Sequence, residues 1–132
     1  SGSRRTESFE NACLNYGYAV LLSAFNREIT ACGYITQLGI WHKNEYNEFN
    51  LSCDLMEPLR VVVDKKMLAL KEGECDFKRE MAEILNARAR SGDKNTTLDL
   101  AIRSYVRSVL DRLNGGTGEI CFPQDVRFVS GS

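Results

Sequence analysis

His42 is the only histidine in the chain, and it opens the segment His42 to Arg60, HKNEYNEFNLSCDLMEPLR. Asp54 and Glu57 follow three residues apart, and Arg60 stands three further on. On a helix that spacing puts all three side chains on one face. Carboxylate oxygens suit a hard divalent cation, Mg2+ or Mn2+, and one imidazole tilts the set towards Mn2+. Magnesium sites often take only one or two protein ligands and complete the shell with water and phosphate. A His and a Glu brought together across a loop fit that description. Such a metal can polarise a phosphoryl oxygen, lower the pKa of a bound water, or orient an attacking hydroxyl.

Each residue also has a plainer use. A lone His beside Trp41 can be structural. An Asp in the first turn of a helix suits the dipole. Asp and Arg on one helix face commonly form a solvated ion pair. The Asn-rich loop before Leu51 can be turn and capping chemistry. A Cys–His nucleophile, Cys53 with His42, needs a positioned base that the pattern does not supply.

The surrounding elements read as helices. Residues 1 to 7 are a polar tail. A long first helix is expected from about Ser8 to Cys32, closed by Gly33. Its middle, YAVLLSAF, is apolar on nearly every side, so the helix should be buried all round at the centre of a bundle. Asn11, Asn15, Ser23 and Asn26 would then each need a partner. Residues 34 to 41 are a short helix or an extended piece, and 43 to 50 a loop. Asn50 is the expected N-cap of a helix from Leu51 to about Lys71 or Glu72, bent at Pro58 and ended by Gly73. Asp76 should cap a helix over roughly 77 to 90, with Phe77, Met81, Ile84 and Leu85 at helical period. SGDKN at 91 to 95 is a turn. Thr96 or Thr97 should cap a last helix to Leu113, with Leu98, Ile102, Tyr105, Val106, Val109 and Leu113 buried and Gly115-Gly116 stopping it. The remainder, EICFPQDVRFV, is extended and covers the bundle.

Composition narrows the class. One domain is expected from 132 residues, with a core that needs no staples. The net charge of −1 means that any nucleic-acid surface must be a local patch. Five cysteines, an odd number with no C-x-x-C pair, argue against a structural zinc or a disulfide framework. Free thiols in a reducing cytoplasm are the expectation. The longest apolar run, Tyr18 to Ala24, is too short to span a bilayer. Ser-Gly-Ser stands at both ends and no Met opens the chain. Artificial remnants or a trimmed piece of a longer protein are therefore expected.

At LGIWHKNEYNEFNLSCDLMEPLR the chain resembles the CRISPR-associated spacer-acquisition integrases, the first-numbered proteins of those systems. NACLNYGYAVLLSAFNREI upstream resembles the preceding helix of the same family. The run Asn11 to Tyr18 and the Asp-Leu-Met-Glu-Pro run at Asp54 to Pro58 most resemble the type II branch. Together these motifs cover residues 11 to 60 in order and spacing, and 61 to 123 agree in helical character.

The resemblance implies a metal-dependent DNA endonuclease and integrase of CRISPR adaptation. A 3′-hydroxyl of incoming DNA attacks a phosphodiester at the repeat boundary. It implies Mg2+ or Mn2+, double-stranded DNA (prespacer and repeat), the second-numbered CRISPR-associated protein as partner, and a homodimer in the prokaryotic cytoplasm. His42 matches the metal-binding histidine and Glu57 the acidic ligand after the loop. Asp54 matches the acid one turn earlier, in a supporting role, and Arg60 the basic position beyond the proline. The family's first ligand, a glutamate, sits before the Asn11 region. This chain begins after it, and Glu7 and Glu10 do not match its place. The expected architecture is therefore an all-α bundle around a long buried first helix, the C-terminal catalytic domain over 8 to 132 without the family's N-terminal β domain. As a fragment it should bind metal weakly and be nearly inactive. The competing function is a non-catalytic helical interaction module presenting Lys65, Lys66, Lys71, Lys78 and Arg79 to a protein partner.

Overall fold

A computed structural model of the protein describes residues 5–36 and 48–129. Thr6 starts the first helix: its hydroxyl accepts the Phe9 N–H at 3.1 Å, an N-cap bond. The helix, α1, spans Glu7–Thr36. The expected tail is therefore tied down where it is described. The Thr6 amide donates to Glu72 at 2.8 Å, and Arg5 pairs with Glu10 at 3.2 Å. Gly33 does not stop the helix, which runs three residues further. A glycine costs about 1 kcal/mol inside a helix, too little by itself to end one of 30 residues.

Burial along α1 is one-sided, not all-round. Cys13, Gly17, Leu21, Ala24, Phe25, Glu28 and Ile29 are buried, while Asn11, Asn15, Ala19 and Ser23 form an exposed row at four-residue spacing. The apolar middle misleads because its small members, Ala19 and Ser23, lie on the open side. Three of the four polar insertions need no partner there. Asn26 has one: the Ser52 hydroxyl donates to its side-chain oxygen. α1 still packs against every other helix.

The next helix, α2, spans Glu48–Met56, so it begins before the expected cap Asn50. A 3-10 turn, Glu57–Leu59, follows, and then α3, Arg60–Leu68. Pro58 has no N–H to give the carbonyl of Asp54, and where a bend within one helix was expected the α-helix gives way to the 3-10 turn. α3 ends early. Ala69 and Leu70 bond back to Lys66 and Met67 at 3.0 Å each, the tighter i+3 pattern of a closing turn. Gly73, at φ 83, lies in the turn beyond.

Asp76 caps α4, Phe77–Ala82, by accepting the Arg79 N–H at 3.3 Å. The expected helix to residue 90 does not continue. A 3-10 turn, Glu83–Asn86, leads into strand β1, Arg88–Ser91. Residues Gly92 and Asp93 turn the chain into β2, Lys94–Thr97. Gly92, at φ 61, supplies the positive φ a two-residue hairpin turn needs. β3, Gln124–Arg127, pairs on the other side of β1, and the order β2-β1-β3 is antiparallel throughout. The all-α expectation is thus corrected: the fold is mostly helical with a small three-stranded sheet. The physical cause lies in pairing: β1 gains β2 through a two-residue hairpin and the extended tail on its other edge, neither of which helical periodicity reveals.

Thr97 caps α5, Leu98–Leu113, through the Leu100 N–H at 3.3 Å. The helix closes in a Schellman motif: Gly116 N–H to Asp111 at 2.9 Å and Gly115 N–H to Arg112 at 3.1 Å, with Gly115 at φ 91. Its buried stripe is Leu98, Ala101, Ile102, Tyr105, Val106 and Leu110. Leu113, expected inside, is exposed at the last turn.

At Gly17 α1 comes close to α3. A β-carbon there would stand 2.5 Å from Val63 Cγ1 and 3.0 Å from Met81 Sδ. Glycine therefore lets α1 lie directly on α3. Among the described residues no helix is long and apolar enough to cross a membrane.

Candidate metal and phosphate site

The helix break at Pro58 sets the geometry. Asp54 is exposed in the last turn of α2, not the first, because α2 starts at Glu48. A carboxylate gains nothing from the dipole at a C-terminal end, so capping does not explain this acid. Glu57 opens the 3-10 turn with its side chain 67% exposed. Arg60 opens α3, and its Nη1 lies 3.2 Å from Glu57 Oε1. The structure therefore joins Glu57 to Arg60. Among the described residues Asp54 joins neither by hydrogen bond or ion pair. His42 lies outside the described residues, as do 43 to 47 of the loop and 37 to 41 before it.

Two residues around this pair escaped the sequence reading. The Arg60 guanidinium carbon sits 4.2 Å from the centroid of the Tyr18 ring, well within cation–π range. The Tyr18 hydroxyl donates to Asp64 Oδ1 at 2.6 Å. Asp64 is one turn beyond Arg60 on α3, so Tyr18 reaches across from α1 to both. Burial, and then the bond to Asp64, push the Tyr18 phenol above its ordinary 10.0. The hydrogen bond to Glu57 raises the Arg60 guanidinium further still, so it is charged at any working pH. A signal for Asp64 was present in the i, i+4 spacing from Arg60. For Tyr18 the signal was its place at the end of the Asn11 to Tyr18 motif, which does not say what the ring meets.

The break is also supported from behind. The Tyr105 hydroxyl of α5 donates a long bond, 3.4 Å, to the carbonyl of Leu55. Its ring stands edge-on to Phe25 and Phe122 at 6.0 and 5.1 Å.

The donor chemistry fits a hard divalent cation in part. Glu57 and Asp54 offer solvent-facing carboxylate oxygens, the ligand type and number such ions accept beside water. Among the described residues no three His, Cys, Asp or Glu side chains gather into a cage. The cysteines are free thiols, with Cys13 fully buried. Of the basic positions of the interaction-module reading, Lys66 and Arg79 line one depression that acidic side chains share. Lys66 pairs with Glu80 at 3.1 Å, and the depression around it is also lined by Glu74, Asp76 and Glu83.

Comparison with known proteins bears on this site. The family model described as CRISPR associated protein Cas1 matches residues 3–92, which include both sequence motifs and the helix break. The chain is 43% identical over 70 residues to the CRISPR-associated endonuclease Cas1 of Neisseria meningitidis serogroup C (strain 8013), covering 53% of this chain and 23% of that protein. It is 31% identical over 121 residues to the CRISPR-associated endonuclease Cas1 1 of Archaeoglobus fulgidus, covering 86% and 31%. For the CRISPR-associated endonuclease Cas1 1 of Francisella tularensis subsp. novicida the figures are 37% over 70 residues, 52% and 22%. The chain thus spans under a third of the length of each of these relatives. Motif order, the break at Pro58 and the family match agree, and the chain belongs to the Cas1 family of CRISPR-associated proteins.

Proposed function

We propose that this chain carries the helical part of a divalent-metal-dependent DNA endonuclease and integrase site of CRISPR adaptation. The observation that carries the reading is Glu57: an exposed carboxylate at a proline-made helix break, with an oriented arginine beside it. The endonuclease names of the relatives support the reaction class. His42 and Glu57 would hold Mg2+ or Mn2+, with Asp54 in support. When bound, the metal supplies Lewis acidity at a phosphoryl oxygen. The chain's own residues do the rest. Glu57 is presented outward by the break, because Pro58 prevents α2 and α3 from continuing as one rod. Asp54 adds negative charge one turn away and keeps the local field attractive to a cation. Arg60 offers N–H donors to an anionic phosphodiester. The resemblance of the motifs supports duplex DNA as substrate, the type II branch, assembly with the second-numbered CRISPR-associated protein and with a second copy, and action in the cytoplasm.

The test is a Mn2+ titration of the isotopically labelled chain, followed by paramagnetic broadening in NMR spectra, which detects weak binding. Broadening should centre on residues 54 to 60. Glu57→Gln and His42→Ala should each weaken binding at least ~10-fold, the lower end of what loss of even an outer-shell partner costs. Unchanged Mn2+ affinity in Glu57→Gln refutes the reading.

A further inference from the structure

We infer that Tyr18 and Asp64 are positioning residues that seat Arg60 as the phosphate-binding cation of this site, for a DNA phosphodiester lying against Glu57. The inference rests on the proposed function and adds to it the residues that orient the anion contact. Four side chains from α1, the 3-10 turn and α3 carry it. Arg60 lies over the Tyr18 ring at 4.2 Å and reaches Glu57 at 3.2 Å. Tyr18 is anchored at its far end by the 2.6 Å bond to Asp64. The ring is half-buried on α1, whereas Arg60 keeps 42% of its side chain exposed.

The arrangement answers a geometric need. An exposed Arg–Glu pair is a weak restraint by itself. When Glu57 turns towards a cation, that restraint is lost. A free arginine would then lose its rotamer freedom only on meeting the phosphate, at a cost in affinity. The Tyr18 ring keeps hold of the guanidinium through the change, so its outer fork stays aimed. A planar guanidinium can stack and still present two parallel donors, which an ammonium cannot.

The experiment measures binding of a short fluorescent DNA duplex to the 132-residue chain over a range of salt. One lost phosphate contact lowers the salt slope by about 0.9. Arg60→Ala should show that loss. Tyr18→Leu removes no charge, yet it should show the same loss, and it should add nothing in an Arg60→Ala background. Tyr18→Phe keeps the ring but loses the bond to Asp64, so it should lose part of the slope; a full slope there removes Asp64 from the seating. Thermal unfolding reports whether Tyr18→Leu folds. If it does not, Arg60→Lys, at an exposed position, keeps the charge and should still lose affinity. An unchanged slope in Arg60→Ala overturns the phosphate contact. A full slope in a folded Tyr18→Leu, or, where that variant does not fold, full affinity in Arg60→Lys, overturns the seating role. Absence of any duplex binding overturns the inference too, and the metal reading then stands or falls on its own Mn2+ titration.

Discussion

Arg60 and Glu57 are three residues apart, so their pairing followed from helix spacing alone. The Tyr18–Asp64 bond joins residues 46 apart in sequence, and no local pattern announces it. Burial has a measurable consequence at this scale. It is the leading cause that lifts the phenols of Tyr18 and Tyr105 above 10.0 and the thiols of Cys13 and Cys32 above 9.0. Each of these protons is held more tightly in the folded chain than in the unfolded one. Their contribution to stability is therefore complete below those ordinary values and is lost as pH rises through the folded ones. Denaturant unfolding at stepped pH should show stability falling on the alkaline side from near pH 9.0 upward. A flat profile between about pH 8 and about pH 11 would contradict this.

At the scale of elements, caps and stops were the most legible features. Asp76, Thr97 and Gly115 act where their side-chain chemistry and backbone freedom predict. Thr97→Ala removes the acceptor for the Leu100 N–H and should cost about 1 kcal/mol, read as a shift in the denaturation midpoint with an unchanged slope. A cost near zero would mean that water caps α5 equally well. The second half of the 77–90 segment was misread for a physical reason. Ala and Arg favour helices, and that preference hides the alternation of buried Ala87 and Ala89 with outward Arg88 and Arg90. Its partners are β2, just past the Gly92 turn, and β3, more than thirty residues downstream. The same holds for α2 and α3. The proline break was readable, but the direction in which it turns Glu57 depends on Tyr105 and the core behind it.

Across the whole molecule, α1 is the element that collects the others, and its contact face decides what the site looks like. The sequence motif at Asn11 to Tyr18 marked the helix as important without saying which side is covered. Gly17 settles that. A methyl group added there meets buried Val63, a stiff β-branched side chain, at 2.5 Å. Gly17→Ala should destabilise the fold by about 1–3 kcal/mol, despite alanine's better helix propensity, and chemical denaturation would register it. Wild-type stability in that variant would show that the two helices separate freely. Tyr18 is the next residue after Gly17, and Arg60 and Asp64 sit on the helix that Gly17 admits. The spacing between two backbones is therefore also the tolerance of the proposed phosphate contact. One absent methyl group acts as a gauge for a guanidinium that never touches it, so this chemistry can be detuned from inside the core without altering a single group on its surface.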